Sequence, residues 1–180
     1  MARFLYSVTM SLDGFIAGAG GDMGWLTPLI APNPTVDDLI PQIGALLVGG
    51  RTFRGDDPHR GTEAEGKAFG GGWSGPQIVL TSRPPEEPVP DVTFVDDLDR
   101  AVALAADAAG EGYVNVLGAT TARSLLGAGV LDEILTIVAP VLLGDGVRLF
   151  AEPGGTTVAL ERTAVTHTPT ATNLWFRVAR

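Results

Sequence analysis

Residues 92–143 read VTFVDDLDRAVALAADAAGEGYVNVLGATTARSLLGAGVLDEILTIVAPVLL, and this stretch decides the fold. Val92–Val95 is a short β-branched and aromatic run, suited to a strand. Asp96 stands where a helix N-cap is expected, and Leu98, Ala101, Val102, Ala105 and Ala108 follow as an apolar stripe at helical spacing. Gly110 stops that helix. Tyr113–Leu117 reads as a strand, Thr120–Leu126 as a second helix, and Ile134–Leu143 as a long apolar strand broken by Gly144-Asp145-Gly146. Strands this apolar are buried on both faces. Their alternation with helices predicts an α/β fold in three layers: a mixed, mostly parallel sheet with helices on both faces.

The flanking sequence extends the pattern. Residues 4–10 predict a first strand with Asp13-Gly14 as its exit turn, and residues 18–34 a Gly- and Pro-rich loop. Thr35 is a plausible N-cap for a short helix ending near Ile43, and Ala45–Val48 is a buried strand closed by Gly49-Gly50. The segment 54–75 has room for one helix around Glu63–Phe69. Gln77–Thr81 predicts another strand, and the Pro-rich stretch 84–90 a surface loop. Strands near 157–166 and 172–178 follow one another without a helix, which implies an antiparallel edge. No linker or repeat divides the chain, so a single domain over 1–180 is expected.

The 180 residues suffice to bury about 70% of the unfolded surface. A net charge of −9 argues against nucleic acid or an anionic membrane as main partner, since both need a basic footprint. No apolar run reaches the ~18 residues that span a bilayer. The start, with Ser7, Thr9 and Ser11 inside its apolar stretch, reads as a strand rather than a signal peptide, so a cytoplasmic protein is expected. With no Cys, thiolate chemistry and Cys-ligated zinc are excluded. His59 and His167 are the only histidines and sit in no metal-spaced motif, so no metal site is expected.

Ligands of such sheets bind beyond the C-terminal ends of the parallel strands. That directs attention to the residues after positions 10, 48, 81 and 117. Gly118-Ala119-Thr120-Thr121 opens a helix, where free N–H groups and the positive dipole end can hold a phosphate, or where Thr merely caps a tight turn. Ser82-Arg83 suits a phosphate monoester, or is a solvated loop before Pro84. Thr52 can cap a helix or touch a pyrophosphate. Asp56-Asp57 can orient a polar substrate or pass a proton, or be loop acids before Pro58. Trp25 can pack against a flat ring or within a loop.

Taken together, SLDGFIA at 11–17, GGRTFRGDDP at 49–58, IVLTSRP at 78–84 and GVLDEILTIVAPVLLGDG at 129–146 resemble the dihydrofolate reductase-like superfamily. The nearest likeness is to the C-terminal reductase domain of bifunctional riboflavin-biosynthesis deaminase-reductases, and it runs from Val8 to about Phe150. The resemblance implies bound NADPH, hydride transfer to a small-molecule substrate, and pairing as a homodimer. It places Thr52 and Asp56 along the cofactor, Ser82 and Arg83 at the adenosine 2′-phosphate, and the backbone of Gly118, Ala119, Thr120 and Thr121 at the pyrophosphate. Ile16 and Trp25 would lie near the nicotinamide. Asp56 or Asp57 is the side-chain candidate for the accompanying proton, with water as the rival.

Departures from that pattern concern the substrate. The riboflavin enzymes carry Glu where this chain has Leu117, and Ala119 replaces their second glycine. Met23 stands where they place a polar residue, and no acid follows Trp25 as in dihydrofolate reductases. Besides a reductase resembling 5-amino-6-(5-phosphoribosylamino)uracil reductase, two readings stay open. One is a non-catalytic nucleotide-binding module, which would bind cofactor without oxidising it. The other is dihydrofolate reduction, which a routine assay separates.

Overall fold

In the computed structural model, the described residues are 1–151, 154–155 and 157–179. In chain order the elements are β1 (Arg3–Ser11), β2 (Phe15–Ala17), α1 (Pro34–Leu39), β3 (Ile43–Gly49), α2 (Gly50–Phe53), β4 (Gln77–Leu80) and β5 (Val92–Val95). They continue with α3 (Leu98–Ala109), β6 (Tyr113–Leu117), α4 (Ala119–Gly127), β7 (Glu133–Ala139), β8 (Val147–Arg148), β9 (Leu160–Thr168) and β10 (Ala171–Val178).

Eight strands form one sheet in the order β5-β4-β3-β6-β1-β7-β10-β9. The first six in that order are parallel, and β10 and β9 complete the sheet antiparallel, as the helix-free C-terminal strands imply. β1 lies at the centre, with Tyr6 opposite Val116 of β6 and Ile134 of β7. Alternation along the strands splits the core into two layers. Tyr6, Leu47 and Val116 face Ala101 and Ala105 of α3 and Ala122 and Leu125 of α4. Leu5, Leu46 and Leu135 face the other way, onto Leu39 of α1 and the aromatic rings of Phe53, Phe69 and Trp73. Among the described residues no helix is long and apolar enough to cross a membrane.

Several boundaries differ from the sequence expectation, each for a local reason. Asp97, not Asp96, caps α3: its backbone is extended and its carboxylate accepts the Arg100 N–H at 2.8 Å. The helix therefore buries Ala101, Ala105 and Ala109, while Ala108 faces solvent. Asn33, not Thr35, caps α1, with Pro34 at its first turn. The helix ends at Leu39, and a single turn through Pro41, which has no N–H to donate, leads to Ile43 as the first residue of β3. No helix forms over Glu63–Phe69. Gly61 and Gly66 adopt positive φ around it, and successive tight turns replace it, continuing through Ala68–Gly71, where Phe69 and Gly70 also take positive φ. β7 stops at Ala139 because Pro140 cannot extend the ladder, so residues 140–143 leave the sheet. The predicted strand at 157–166 starts later, at Leu160.

Candidate active site

The C-terminal ends of β1, β3, β4 and β6 open into one cleft of about 1420 Å³. Ile16, Thr52, Asp56, Ser82, Gly118, Ala119, Thr120 and Thr121 all line it, so the loops after four separate strands converge as the topology requires. Trp25, Asp57 and Arg83 do not. Met23 and Leu26, which flank Trp25 in sequence, line the cleft, and Trp25 is half-buried. Arg83 instead lines a smaller hollow with Phe53, Arg54, Pro84 and Pro85.

Close contacts between glycines and threonines set the geometry of the cleft floor. Gly118, at φ +108°, precedes α4, and a Cβ there would lie 2.5 Å from Thr52 Oγ1. A Cβ on Gly49 would lie 2.6 Å from Thr121 Oγ1, and one on Gly50 2.6 Å from Thr81 Oγ1. Only glycine permits these approaches. No side chain caps α4, so its first N–H groups and its positive end remain open at the cleft.

Two arginines that the sequence reading did not single out flank this floor. Arg51 donates to Thr120 Oγ1 at 2.6 Å. Arg54 donates to Thr81 Oγ1 at 3.4 Å and to the Arg83 carbonyl at 3.1 Å, and it lines both the cleft and the smaller hollow. Their sequence signals were the clustering of Arg51, Arg54 and Arg60 within ten residues and the place of the first two inside GGRTFRGDDP.

The two adjacent acids have different surroundings. Asp56 Oδ2 accepts the Met23 N–H at 3.0 Å, and Oδ1 pairs with Arg60. The Met23 hydrogen bond foremost, aided by Arg60, holds the Asp56 carboxyl below the usual range, so it is ionised at neutral pH. Asp57 faces its own loop: Oδ1 accepts from His59 N at 2.7 Å and Oδ2 from Gly66 N at 2.6 Å.

The SLDG motif forms a latch on the opposite wall. Ser11 donates to Asp13 Oδ1 at 2.6 Å, and Asp13 accepts the N–H groups of Leu143 at 3.1 Å and Gly144 at 2.8 Å. These donors, the Ser11 hydroxyl first, lower the Asp13 carboxyl to about 2. The latch brings β2 against β8, with Phe15 opposite Arg148, a two-strand ladder invisible in the sequence because each strand is so short. A Cβ on Gly146 would collide with the Ala17 carbonyl, which keeps this wall tight. Among the described residues no group of three or more His, Asp or Glu could hold a metal ion.

The model of the RibD C-terminal domain family matches residues 4–174. The chain belongs to that family. Its fold is shared with a putative riboflavin biosynthesis protein from Shewanella sp. PV-4, at TM-score 0.75 and 24% identity over 100% of both chains. The deaminase/5-amino-6-(5-phosphoribosylamino)uracil reductase of Thermotoga maritima superposes at TM-score 0.69 and 18% identity, over 99% of this chain and 57% of that one. Enterococcus faecalis dihydrofolate reductase, complexed with NADP(H), gives TM-score 0.63 and 17% identity over 99% and 97%. This RibD C-terminal domain thus has the dihydrofolate reductase-like fold, and its family supports a reductase of the riboflavin-pathway type.

Proposed function

We propose that this RibD C-terminal domain binds NADPH in the cleft and reduces a small organic molecule. The observation that carries the reading is the uncapped N-terminus of α4, opened to the cleft by Gly118. The backbone from Gly118 to Thr121 suits a pyrophosphate, with Thr52 beside it. Ser82 and Arg54, braced by the Arg83 carbonyl, suit the adenosine 2′-phosphate, with the Arg83 side chain reaching it from the adjoining hollow that Arg54 also lines. Ile16 and Met23 then border the nicotinamide, and Trp25 backs that wall.

When bound, the cofactor would supply the hydride. The protein orients and shields. Asp56 is held ionised by Met23 and Arg60, so its role here is to fix the Met23 loop; the accompanying proton is assigned to water. Asp57 holds the following loop closed. The substrate resembles that of 5-amino-6-(5-phosphoribosylamino)uracil reductase in class, but Leu117 in place of Glu removes one charged contact from it. A homodimer in the cytoplasm completes the proposal.

Titration with NADPH and NADH tests the reading. NADPH is expected to bind more tightly. Arg54→Ala and Arg83→Ala are each expected to weaken NADPH by at least about tenfold, the scale of a lost charge-assisted hydrogen bond, and to leave NADH nearly unchanged. Equal losses for both cofactors would move the 2′-phosphate away from these arginines. Binding of neither would remove the reductase reading. Binding without oxidation across a substrate panel that includes dihydrofolate would favour a non-catalytic nucleotide-binding module.

A further inference from the structure

The central strand β6 reads Tyr-Val-Asn-Val-Leu, and its Asn115 is 0% exposed. An aliphatic residue would fill this place without a polar group to satisfy. Ser7, on the adjacent strand β1, donates to Asn115 Oδ1 at 2.7 Å, which commits the hydroxyl's one proton. Asn115 Nδ2 has no hydrogen-bond partner among the described residues. A buried donor left unpaired is costly, so a pair that tolerates one calls for an explanation.

Ser7 reaches the cleft. It is 8% exposed and lines the cavity, as does Thr9 two residues further along the same face of β1. Leu117 stands two residues beyond Asn115 on β6 and also lines the cleft, as do Ile16, Met23 and Leu26. The floor is thus a neutral polar strip with apolar residues in the same lining. With its proton held by Asn115, Ser7 Oγ offers the cleft lone pairs only.

The geometry points to Ser7 and Asn115 as the group that selects the substrate: Ser7 Oγ accepts from an uncharged moiety bearing an N–H or O–H donor, and the pair disfavours an anion at that place. This rests on the reductase reading, since it assigns the part of the cleft left to substrate. Nothing cationic is bonded to the pair among the described residues, so a carboxylate or phosphate oxygen would meet lone pairs without compensation. If the Asn115 amide were turned over, Nδ2 would donate to Ser7, the Ser7 proton would swing toward the cleft, and an acceptor would be selected instead.

The test uses ¹⁵N-labelled, NADPH-loaded protein and three matched probes: benzamide, which donates; N,N-dimethylbenzamide, which only accepts; and benzoate, which is anionic. Benzamide is expected to bind at least tenfold more tightly than the other two and to shift the Asn115 side-chain amide resonance. Ser7→Ala is expected to abolish that preference with the Kd for NADPH unchanged. Asn115→Leu should do the same, and if that variant does not fold, Ser7→Ala alone decides. Equal affinities for the three probes, a preference for N,N-dimethylbenzamide, a preference that survives in Ser7→Ala, or no probe binding while NADPH still binds would each overturn the inference. Failure of the wild-type protein to bind NADPH would instead remove the reductase reading. The probe preference would then be read on the protein alone, where the same outcomes decide it.

Discussion

Asp13 accepts the backbone N–H of Gly144 at 2.8 Å, across 131 positions of sequence. That bond, with those from Leu143 and Ser11, fastens the exit of β1 to the segment after β7 and so holds one wall of the cleft. The folded carboxyl titrates at about 2 against an ordinary 3.8. A depressed carboxylate contributes stability that is fully present above its unfolded pKa and is lost as pH falls through the folded one. Asp13→Asn should therefore lower the urea midpoint at neutral pH. Its difference from wild type should close as pH falls from 3.8 toward about 2. A difference that stays constant across that range would assign the latch to hydrogen bonding without charge.

At the other end of the sheet, Glu133 joins three partners: Trp175 Nε1 at 2.7 Å, Tyr113 Oη at 3.2 Å and Arg3 at 3.2 Å. Glu133→Leu strands two donors in the core. At about 1–3 kcal/mol for each unpaired group, the expected loss is about 3 kcal/mol in urea unfolding. Burial, and then the Glu133 charge, push the Tyr113 hydroxyl up to about 12. A raised phenol contributes stability that is complete below its unfolded value of 10.0 and fades as pH rises through about 12. Ultraviolet absorbance should show Tyr113 ionising closer to 10.0 in the variant. An unchanged titration would remove Glu133 as a cause of the shift.

Gly118→Ala is expected to damage ligand binding and stability together. The new Cβ meets Thr52 Oγ1 at 2.5 Å, on a backbone at φ +108° that L-residues rarely adopt. Strain of this kind costs about 1–3 kcal/mol. Relieving it must rotate the first turn of α4 or displace Thr52, so NADPH affinity should fall at least about tenfold, the equivalent of ~1.4 kcal/mol. Thermal unfolding and cofactor titration measure the two effects. A destabilised variant with intact affinity would separate the glycine from the binding site.

Much of this arrangement is legible in the residues themselves. Buried parallel strands are near-continuous apolar runs, so β3, β4 and β6 stand out, and the residues just after them form the cleft floor. The less legible parts depend on distant partners or on local competition. β2 and β8 owe their pairing to Asp13 and the segment around Gly144. The expected helix at 63–69 gives way because Asp57 binds the Gly66 N–H and two glycines take positive φ. Asp96 and Asp97 are equivalent as text, and the register of the alanine stripe against the sheet chooses Asp97. The motif does not show that Arg83, before two prolines, lines the adjoining hollow shared with Arg54, or that Asp57 turns into its own loop. The Ser7–Asn115 contact joins two central strands 108 positions apart and has no local signature.

The threonine hydroxyls seated against Gly49, Gly50 and Gly118 have a thermodynamic consequence. Backbone atoms without side chains have no rotamers to lose, and hydroxyls wedged against them have few. A surface of this kind is already in its final shape before a ligand arrives, so little conformational entropy remains to be surrendered on association. Discrimination between ligands then falls to the part of the cleft that retains freedom, the long, exposed arginine side chains beside that floor.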